Sequence, residues 1–277
     1  MKPELPSNSR DYRNLQPSQI VDTIDVLSRR IKERFPQSGL FRVAVELHAL
    51  AQEAVVRAEK IRRPNILLRG FVLLLIGLVV ALVAMTARSI RLNNEVFQLE
   101  HFVQTIDSSI SSVVFLGAAI VFLFSLELKL KRKRALEAVR ELRSLAHIID
   151  MHQLTKDPER VTGRGAATAS SPKRTMTAFE LGRYLDYCSE LLSLLSKTGA
   201  LYVQEFPDPV AIEAVDQVSN LATDLSRNIW QKIMILEATT RNTQAAAEKA
   251  AAFEKPATAT DAAAKAVAAQ LQSVASS

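Results

Sequence analysis

Cysteine, glycine and aromatic residues are all scarce in this 277-residue chain. Cys188 is the single cysteine, which excludes an intramolecular disulfide and a cysteine-rich zinc site. With 8 glycines and 6% aromatic residues, the chain has few of the turn glycines and strand aromatics that a β-sandwich or barrel needs. The phosphate-binding patterns GxGxxG and GxxxxGKS/T do not occur, so the sequence contains no familiar nucleotide-binding loop. These absences favour an all-α fold.

Two long uncharged apolar runs dominate what is present. One covers the 18 residues between Arg69 and Arg88, and the other covers the 19 residues between Asp107 and Glu127. As an α-helix each run spans roughly 27–29 Å, close to the ~30 Å hydrocarbon core of a bilayer. The alternative, a pair of buried core helices, normally keeps a polar stripe, which neither run has. The sequence therefore predicts an integral membrane protein with a transmembrane hairpin of helices 66–87 and 108–128.

Basic residues near the two runs set the expected orientation. Twelve Lys and Arg residues lie in segments 49–69 and 129–149, whereas the predicted external segment 88–107 has only Arg88 and Arg91. Cytoplasmic flanks of membrane helices carry the excess of Lys and Arg. We therefore expect a multi-pass protein of the cell (inner) membrane with both termini in the cytoplasm. The first 25 residues contain no apolar signal-peptide core, so the first span is expected to direct insertion.

Helical periodicity extends through most of the remaining chain. Apolar residues recur every three or four positions, which is typical of amphipathic helices that pack into a bundle. The apolar positions between 211 and 236 come close to the alternation of a coiled coil. The predicted segments outside the spans are a disordered tail at 1–17, cytoplasmic amphipathic helices at 18–63, a short external loop or helix at 88–107, a cytoplasmic helical extension at 129–156, a linker at 157–175, a cytoplasmic antiparallel helical hairpin at 176–240 and an Ala-rich disordered tail at 241–277.

The external segment leaves two alternatives open. Its apolar residues also fall at helical spacing, so a helix starting near residue 95 either lies at the outer membrane surface or runs straight into the second span.

Several individual residues have predicted structural roles. Ser18 and Ser38 each precede an apolar-periodic segment and are expected to cap a helix. Trp230 is expected to pack at the seam between helices, and Cys188, on an apolar stripe, is expected to be buried. Four acidic residues are interpreted as a solvated helix face and turn rather than an acid–base pair: Asp186, Glu190, Glu205 and Asp208.

Charged residues at the cytoplasmic edge of the spans predict two interactions. Arg69 and Glu127 lie at the same depth of an antiparallel hairpin, so we predict an ion pair between them at the membrane edge. Lys131, one helical turn after Glu127, is an equally good partner for that carboxylate. Anionic lipid at the cytoplasmic face is expected to attract an inner-leaflet basic cluster. This cluster consists of Lys129, Lys131, Arg132, Lys133 and Arg134.

The best candidate for chemistry is the group His147, Asp150 and His152. Asp150 follows His147 by three positions and shares its helix face, and two imidazoles with a carboxylate can hold a divalent metal. However, the HExxH pattern does not occur, and the polar end of a helix, where the dipole favours histidine, explains the same residues. We therefore expect no catalytic residue, no cofactor and no metal, with this group as the weak metal candidate.

Amphipathic helices without a sufficient catalytic constellation favour a non-enzymatic role. We expect a membrane-anchored scaffold or regulatory protein that contacts a second copy or a helical protein partner. Nucleic acid is not an expected partner, since the basic residues flank the spans and lack interleaved aromatics. One alternative is a homo-oligomeric channel or transporter accessory subunit, although the spans offer little polarity to line a pore. Another is a metal-dependent membrane enzyme that uses His147, Asp150 and His152.

Four segments of the chain carry a resemblance to known proteins. They are residues 35–40 (FPQSGL), 62–65 (RRPN), 142–158 and 184–191. Together they resemble an uncharacterised group of bacterial two-span membrane proteins over about residues 18–240. The resemblance implies the two-span architecture and brings no activity, cofactor or site residue with it.

Overall fold

The computed structural model describes residues 14–92, 99–158, 169 and 176–274. All regular secondary structure among these residues is α-helical, so the predicted all-α class is confirmed. The predicted tail at 1–17 and linker at 157–175 lie largely outside the described residues. The helices are α1 Pro17–Arg34, α2 Gly39–Arg62, α3 Ile66–Leu92, α4 Leu99–Leu154, α5 Ala178–Ala200 and α6 Pro209–Val274.

Short turns separate the first helices. Ser38 caps α2 as predicted, because its side chain accepts a hydrogen bond from the amide of Phe41 at 3.2 Å. The prediction for Ser18 is wrong: α1 already begins at Pro17, with Gln16 in the cap position and no side-chain cap hydrogen bond. Proline has no amide hydrogen to satisfy, and its fixed φ suits the first helical position, so the helix starts earlier than the serine signal indicates.

α3 and the first part of α4 form an apolar hairpin. Both helices contain stretches long and apolar enough to cross a membrane. In each helix, only 6% of the most apolar stretch of 18 residues is buried. Leu73 and Phe115, one from each helix, are more than half exposed. Because they are not covered by protein, these stretches are not core helices of the described fold, which removes the alternative explanation for their apolarity.

α4 runs without interruption from the hairpin into the rest of the protein. It contains 56 residues, or about 84 Å of helix at 1.5 Å per residue. The predicted span 108–128 and the extension 129–156 are therefore parts of one helix. Since α4 starts at Leu99, the later part of the predicted external segment 88–107 is an extension of this helix, and residues 93–98 lie outside the described part.

The remaining helices form a bundle with one continuous core. It combines α1, α2, the second half of α4, α5 and the first part of α6. A capping box of Thr177 and Glu180 starts α5, which packs along α6 as the predicted helical hairpin. Fully buried apolar side chains from every one of these helices meet in the core, among them Ile24, Leu47, Leu142, Leu191 and Ile229.

Contacts along α4 show that α6 lies beside it and runs in the same direction. Near the hairpin, Arg132 pairs with Asp208. Further along both helices, Arg143 donates a hydrogen bond to Gln217 with a length of 2.9 Å. In the last turn of α4, Gln153 accepts a hydrogen bond from Lys232. The start of α6 therefore lies next to the apolar hairpin, and its later turns lie at the opposite end of the bundle.

The last part of α6 corrects one prediction. Residues 241–274, predicted to be part of a disordered tail, are helical. Alanine is the best helix former, and a segment that extends an existing helix avoids the nucleation cost that makes an isolated Ala-rich helix marginal. Residues 241–251 are all exposed, so α6 leaves the bundle after Thr240.

Trp230 corrects another prediction, because it does not pack at the seam. It is 58% exposed, whereas its neighbour Ile229 is fully buried. The buried face of α6 passes through Ile229 and Ile233, and one residue corresponds to about 100° around a helix with 3.6 residues per turn. Trp230 is thereby turned toward solvent, together with Met234 one turn later.

Candidate functional site

Charged side chains from three parts of the chain meet where the apolar hairpin joins the bundle. α2 ends at Arg62, and residues 63–65 lead directly into α3. α4 passes the same point at residues 127–134, and the turn between α5 and α6 ends there at Asp208. We call this region the junction and define it as residues 60–65, 127–134 and 205–208.

Glu127 connects the two helices of the hairpin at the junction. Its Oε1 accepts hydrogen bonds from Lys131 Nζ at 3.1 Å and from the Asn65 backbone amide at 3.2 Å. The structure thus forms the Lys131 pair, whereas Arg69 acts on this carboxylate from beyond ion-pair distance. The amides in the first turn of α3 lack partners within their helix, so the Asn65 amide is a ready donor to this carboxylate.

Asp208 is the one charged residue that is buried in the part of the chain described here. Its side chain is 1% exposed. Arg132 Nε donates to both carboxylate oxygens at 3.0 Å, and Arg132 Nη2 donates to Oδ2 at 2.7 Å. The Ala211 amide also donates to Oδ1 at 3.0 Å, so Asp208 caps α6. A single carboxylate therefore joins α4 to the start of α6.

The surroundings of Asp208 keep it ionised. The hydrogen bond from Arg132 lowers the pKa of Asp208, and it outweighs burial, which raises that pKa. The interpretation of Asp208 as a solvated turn residue is therefore wrong. The other three acidic residues of that group form ion pairs that are at least partly exposed. Asp186 pairs with Arg183, Glu190 with Arg30 and Glu205 with Arg62.

A second polar link joins α2 to α4 next to the junction. Arg57 Nη1 donates to Glu141 Oε2 at 2.7 Å, and Arg57 also pairs with Glu53 on its own helix. Tyr202 lies beside this pair and is 3% exposed. Burial raises the pKa of Tyr202 to about 12, so its hydroxyl stays protonated and has no role as a base at neutral pH.

The predicted inner-leaflet basic cluster divides into two groups. Lys131 and Arg132 are committed to the carboxylates of Glu127 and Asp208. They therefore hold the fold together at the junction. The other three cations have exposed side chains that can face a membrane surface: Lys129, Lys133 and Arg134.

The three residues of the weak metal candidate do not come together. His147 is exposed, Asp150 accepts a hydrogen bond from Gln153 at 2.6 Å, and His152 lies against Gly39 at the start of α2. Within the described ranges, no group of three or more His, Cys, Asp and Glu residues is placed to hold a metal ion. The histidines at this end of α4 thus have separate environments.

The contact between His152 and Gly39 makes a packing prediction. A Cβ at Gly39 would overlap the ring of His152, which lies at the end of a half-buried, rotatable side chain. We expect Gly39→Ala to displace this ring and to lower the free energy of unfolding by about 1 kcal/mol. His152→Ala in the same chain should recover most of this loss, which a double-mutant cycle of thermal unfolding measures.

The control for this cycle is Gly182→Ala. A Cβ at Gly182 would meet Leu236 at 3.7 Å, an ordinary contact, so no comparable loss is expected. Strictly additive effects of Gly39→Ala and His152→Ala would contradict the packing role of His152.

Cys188 is buried as predicted, with 0% of its surface exposed. Burial raises the pKa of the Cys188 thiol to about 12, and this outweighs the opposing effect of Lys156 and Lys232. Because the thiolate is the reactive form, the thiol is not a nucleophile at neutral pH.

This environment predicts the labelling behaviour of the chain. We expect maleimide to modify Cys188 in the folded protein about 100-fold more slowly than an exposed thiol. The matched exposed thiol is Ser193→Cys in a Cys188→Ala background, because Ser193 is exposed on the same helix. Comparable labelling rates for the two proteins under native conditions would contradict the burial of Cys188.

Sequence reasoning missed the pair of Arg132 and Asp208. One local signal identifies half of it, since an Asp directly before a Pro at the start of a periodic segment is a typical cap followed by a first-turn proline. The partner lies 76 residues earlier in the chain, so no local spacing indicates it.

Comparisons with known proteins add no functional analogue. No protein-family model matches the chain, and neither a curated protein nor a solved structure matches it. The geometry of the junction and the exposed surface of α6 are therefore the basis for a functional proposal.

Proposed function

We propose that the protein is a two-pass scaffold or regulatory protein of the cell (inner) membrane, without catalytic activity of its own. In this proposal α3 and the first part of α4 cross the bilayer, and the bundle and both termini are cytoplasmic. α6 provides a contact surface for a second copy or for a helical protein partner.

The continuity of α4 is the observation that carries this proposal. The helix passes from the exposed apolar hairpin directly into the bundle, where Ala135, Leu142 and Ile149 are buried. No linker separates the membrane half from the bundle half, so a shift or rotation of the hairpin moves the bundle with it. Arg132 then passes such a movement to α6 through Asp208.

The exposed face of α6 supports a role in helix contacts. Trp230, Met234 and Ile235 are 58%, 57% and 46% exposed. Single exposed apolar residues are normal, but tryptophan is enriched among residues that dominate binding at interfaces. Beyond this face, the exposed turns from Arg241 to Ala251 extend the accessible length of the helix.

Charge supports the proposed orientation. The exposed cations Lys129, Lys133 and Arg134 follow the second apolar stretch on the side of the bundle. Excess Lys and Arg next to a span is typical of its cytoplasmic end. The bundle and the basic residues therefore belong on the same side of the membrane.

Site-specific crosslinking in cells tests the contact role. A photoreactive amino acid placed at Trp230 or at Met234 should give the same discrete adduct, either a dimer of this chain or one defined partner. Mass spectrometry of the adduct identifies it. The same probe at Asp22, which is exposed on α1, should not give that adduct.

Two results would contradict the proposal. One is equal crosslinking from α1 and α6, which indicates only random collision. The other is ion flux through liposomes that contain this protein alone, which supports the channel alternative.

A further inference from the structure

A cavity of about 260 Å³ opens at the junction, between the end of α2, the start of α3 and α4. Eight residues line it, and they include four cations, one carboxylate and one leucine. These six are Lys60, Arg63, Lys131, Arg134, Glu127 and Leu130. A concave site with this excess of positive charge suits an anion.

Two of the four cations already have partners. Lys131 pairs with Glu127 at 3.1 Å, and Arg63 pairs with Glu59 at 2.9 Å. Lys60 and Arg134 are exposed, and no carboxylate of the described residues lies within 4 Å of either one. The cavity therefore brings together two cations that form no ion pair with the described part of the chain.

Glu127 does not block an anion from this cavity. Its carboxylate accepts hydrogen bonds from Lys131 and from the Asn65 amide, so its charge is balanced within the protein. The remaining positive charge belongs to side chains whose ends are free to contact a ligand.

The cavity also borders the apolar hairpin. α3 begins next to it with Ile66 and Leu67, which are 81% and 86% exposed, and Leu130 of the cavity wall is 40% exposed. A polar, positively charged recess beside exposed aliphatic side chains matches a molecule with an anionic head and an apolar tail. A free phosphate ion has no apolar part, so it gains nothing from the exposed aliphatic side chains.

We propose that this cavity binds the phosphate headgroup of an anionic phospholipid, with Lys60 and Arg134 as the phosphate ligands. The acyl chains lie along the hairpin next to Ile66 and Leu67. The guanidinium of Arg134 can bind phosphate oxygens in a bidentate manner, whereas Lys60 contributes a point charge. This inference rests on the proposed membrane insertion and specifies a lipid class that the site selects.

Ligand-dependent stability of the full-length protein in a neutral detergent tests the site. Dioctanoyl phosphatidylglycerol should raise the thermal unfolding midpoint in a saturable way, because a ligand that binds the folded state stabilises it. Dioctanoyl phosphatidylcholine, with the same chains and no net charge, should not. Glycerol phosphate and inorganic phosphate should need at least ~10-fold higher concentrations, since they lack the apolar contacts.

Two double variants with equal loss of charge locate the effect. Lys60→Gln with Arg134→Gln should weaken the apparent affinity for phosphatidylglycerol about tenfold or more. Lys129→Gln with Lys133→Gln removes two exposed cations that do not line the cavity, and should change the affinity less than about twofold. Lys60→Arg with Arg134→Lys keeps both charges and should retain binding, which also guards against a folding defect in the first pair.

Several outcomes would overturn the site. Equal loss of phosphatidylglycerol affinity in the Lys60/Arg134 and Lys129/Lys133 variants would mean diffuse surface attraction. If inorganic phosphate were as potent as phosphatidylglycerol, the cavity would be a free-phosphate site. If phosphatidylcholine were as potent, binding would depend on apolar contacts alone. Alkaline carbonate extraction tests the proposed membrane insertion separately from the headgroup site. A chain that is washed off membranes refutes membrane insertion, whereas a membrane-embedded chain with unchanged lipid affinity in Lys60→Gln/Arg134→Gln refutes only the headgroup site.

Discussion

Asp208→Ala should lower the free energy of unfolding of the bundle by about 2 kcal/mol, because it breaks a partly buried ion pair and removes a helix cap. The substitution leaves Arg132 without its carboxylate partner and leaves the Ala211 amide without its acceptor. Circular dichroism of the purified protein in detergent, followed through thermal or urea unfolding, measures the loss. It also tests whether α6 depends on this contact for its position beside α4.

Asp216→Ala is the matched control for this substitution. Asp216 is exposed on the same helix, so its loss should change stability by less than about 0.5 kcal/mol. Asp208→Asn should fall between the two, because an amide keeps one oxygen for the cap and loses the charge that Arg132 pairs with. A value for Asp208→Ala as small as that for Asp216→Ala would show that the pair contributes nothing to the fold.

The same carboxylate predicts a pH dependence with a defined sign. The hydrogen bond from Arg132 lowers the pKa of folded Asp208 below that of the unfolded chain. Its contribution is therefore fully present above the unfolded value of about 3.9 and is lost as the pH falls through the lower folded value. The stability difference between the wild-type protein and Asp208→Asn should be constant above about pH 5 and shrink in more acidic solution.

The helices themselves were predictable because their signals are local. The spacing of apolar residues every three or four positions gives the buried faces of the bundle, and it correctly placed Cys188 in the core. Ser38 acts within three residues of its own position, so its cap was equally visible in the sequence. The two apolar runs are recognisable by length and composition alone.

The contacts that the sequence did not reveal depend on position in space. Arg132 belongs to a run of basic residues that has the appearance of a uniform membrane-facing cluster, yet its helix face turns it toward Asp208. Trp230 was also misplaced by the sequence pattern. It follows the buried Ile229 by one residue on α6, yet its side chain is exposed. Helical structure after Thr240 depends on the preceding turns, which an isolated tail does not have.

Thiol labelling of intact cells should give an almost all-or-none difference between the two sides of the membrane. In a Cys188→Ala background, Asn94→Cys should react with a membrane-impermeant maleimide added from outside. Ser193→Cys should react only after the inner membrane is permeabilised. The expectation follows from twelve basic residues on the flanks of the hairpin against two in the segment between the spans, since this asymmetry sets the orientation of membrane proteins.

A third position distinguishes the ways in which this topology can fail. Because two spans return the chain to its starting side, Ser9→Cys, which precedes the first span, should behave like Ser193→Cys. Labelling of both Ser9→Cys and Ser193→Cys in intact cells, with Asn94→Cys protected, means an inverted hairpin. Labelling of Ser193→Cys alone, with Ser9→Cys and Asn94→Cys protected, means a single span and a re-entrant segment. Only the predicted pattern puts the bundle, with the basic cavity and the exposed face of α6, in the cytoplasm, where a cytoplasmic partner and inner-leaflet lipid can both reach them.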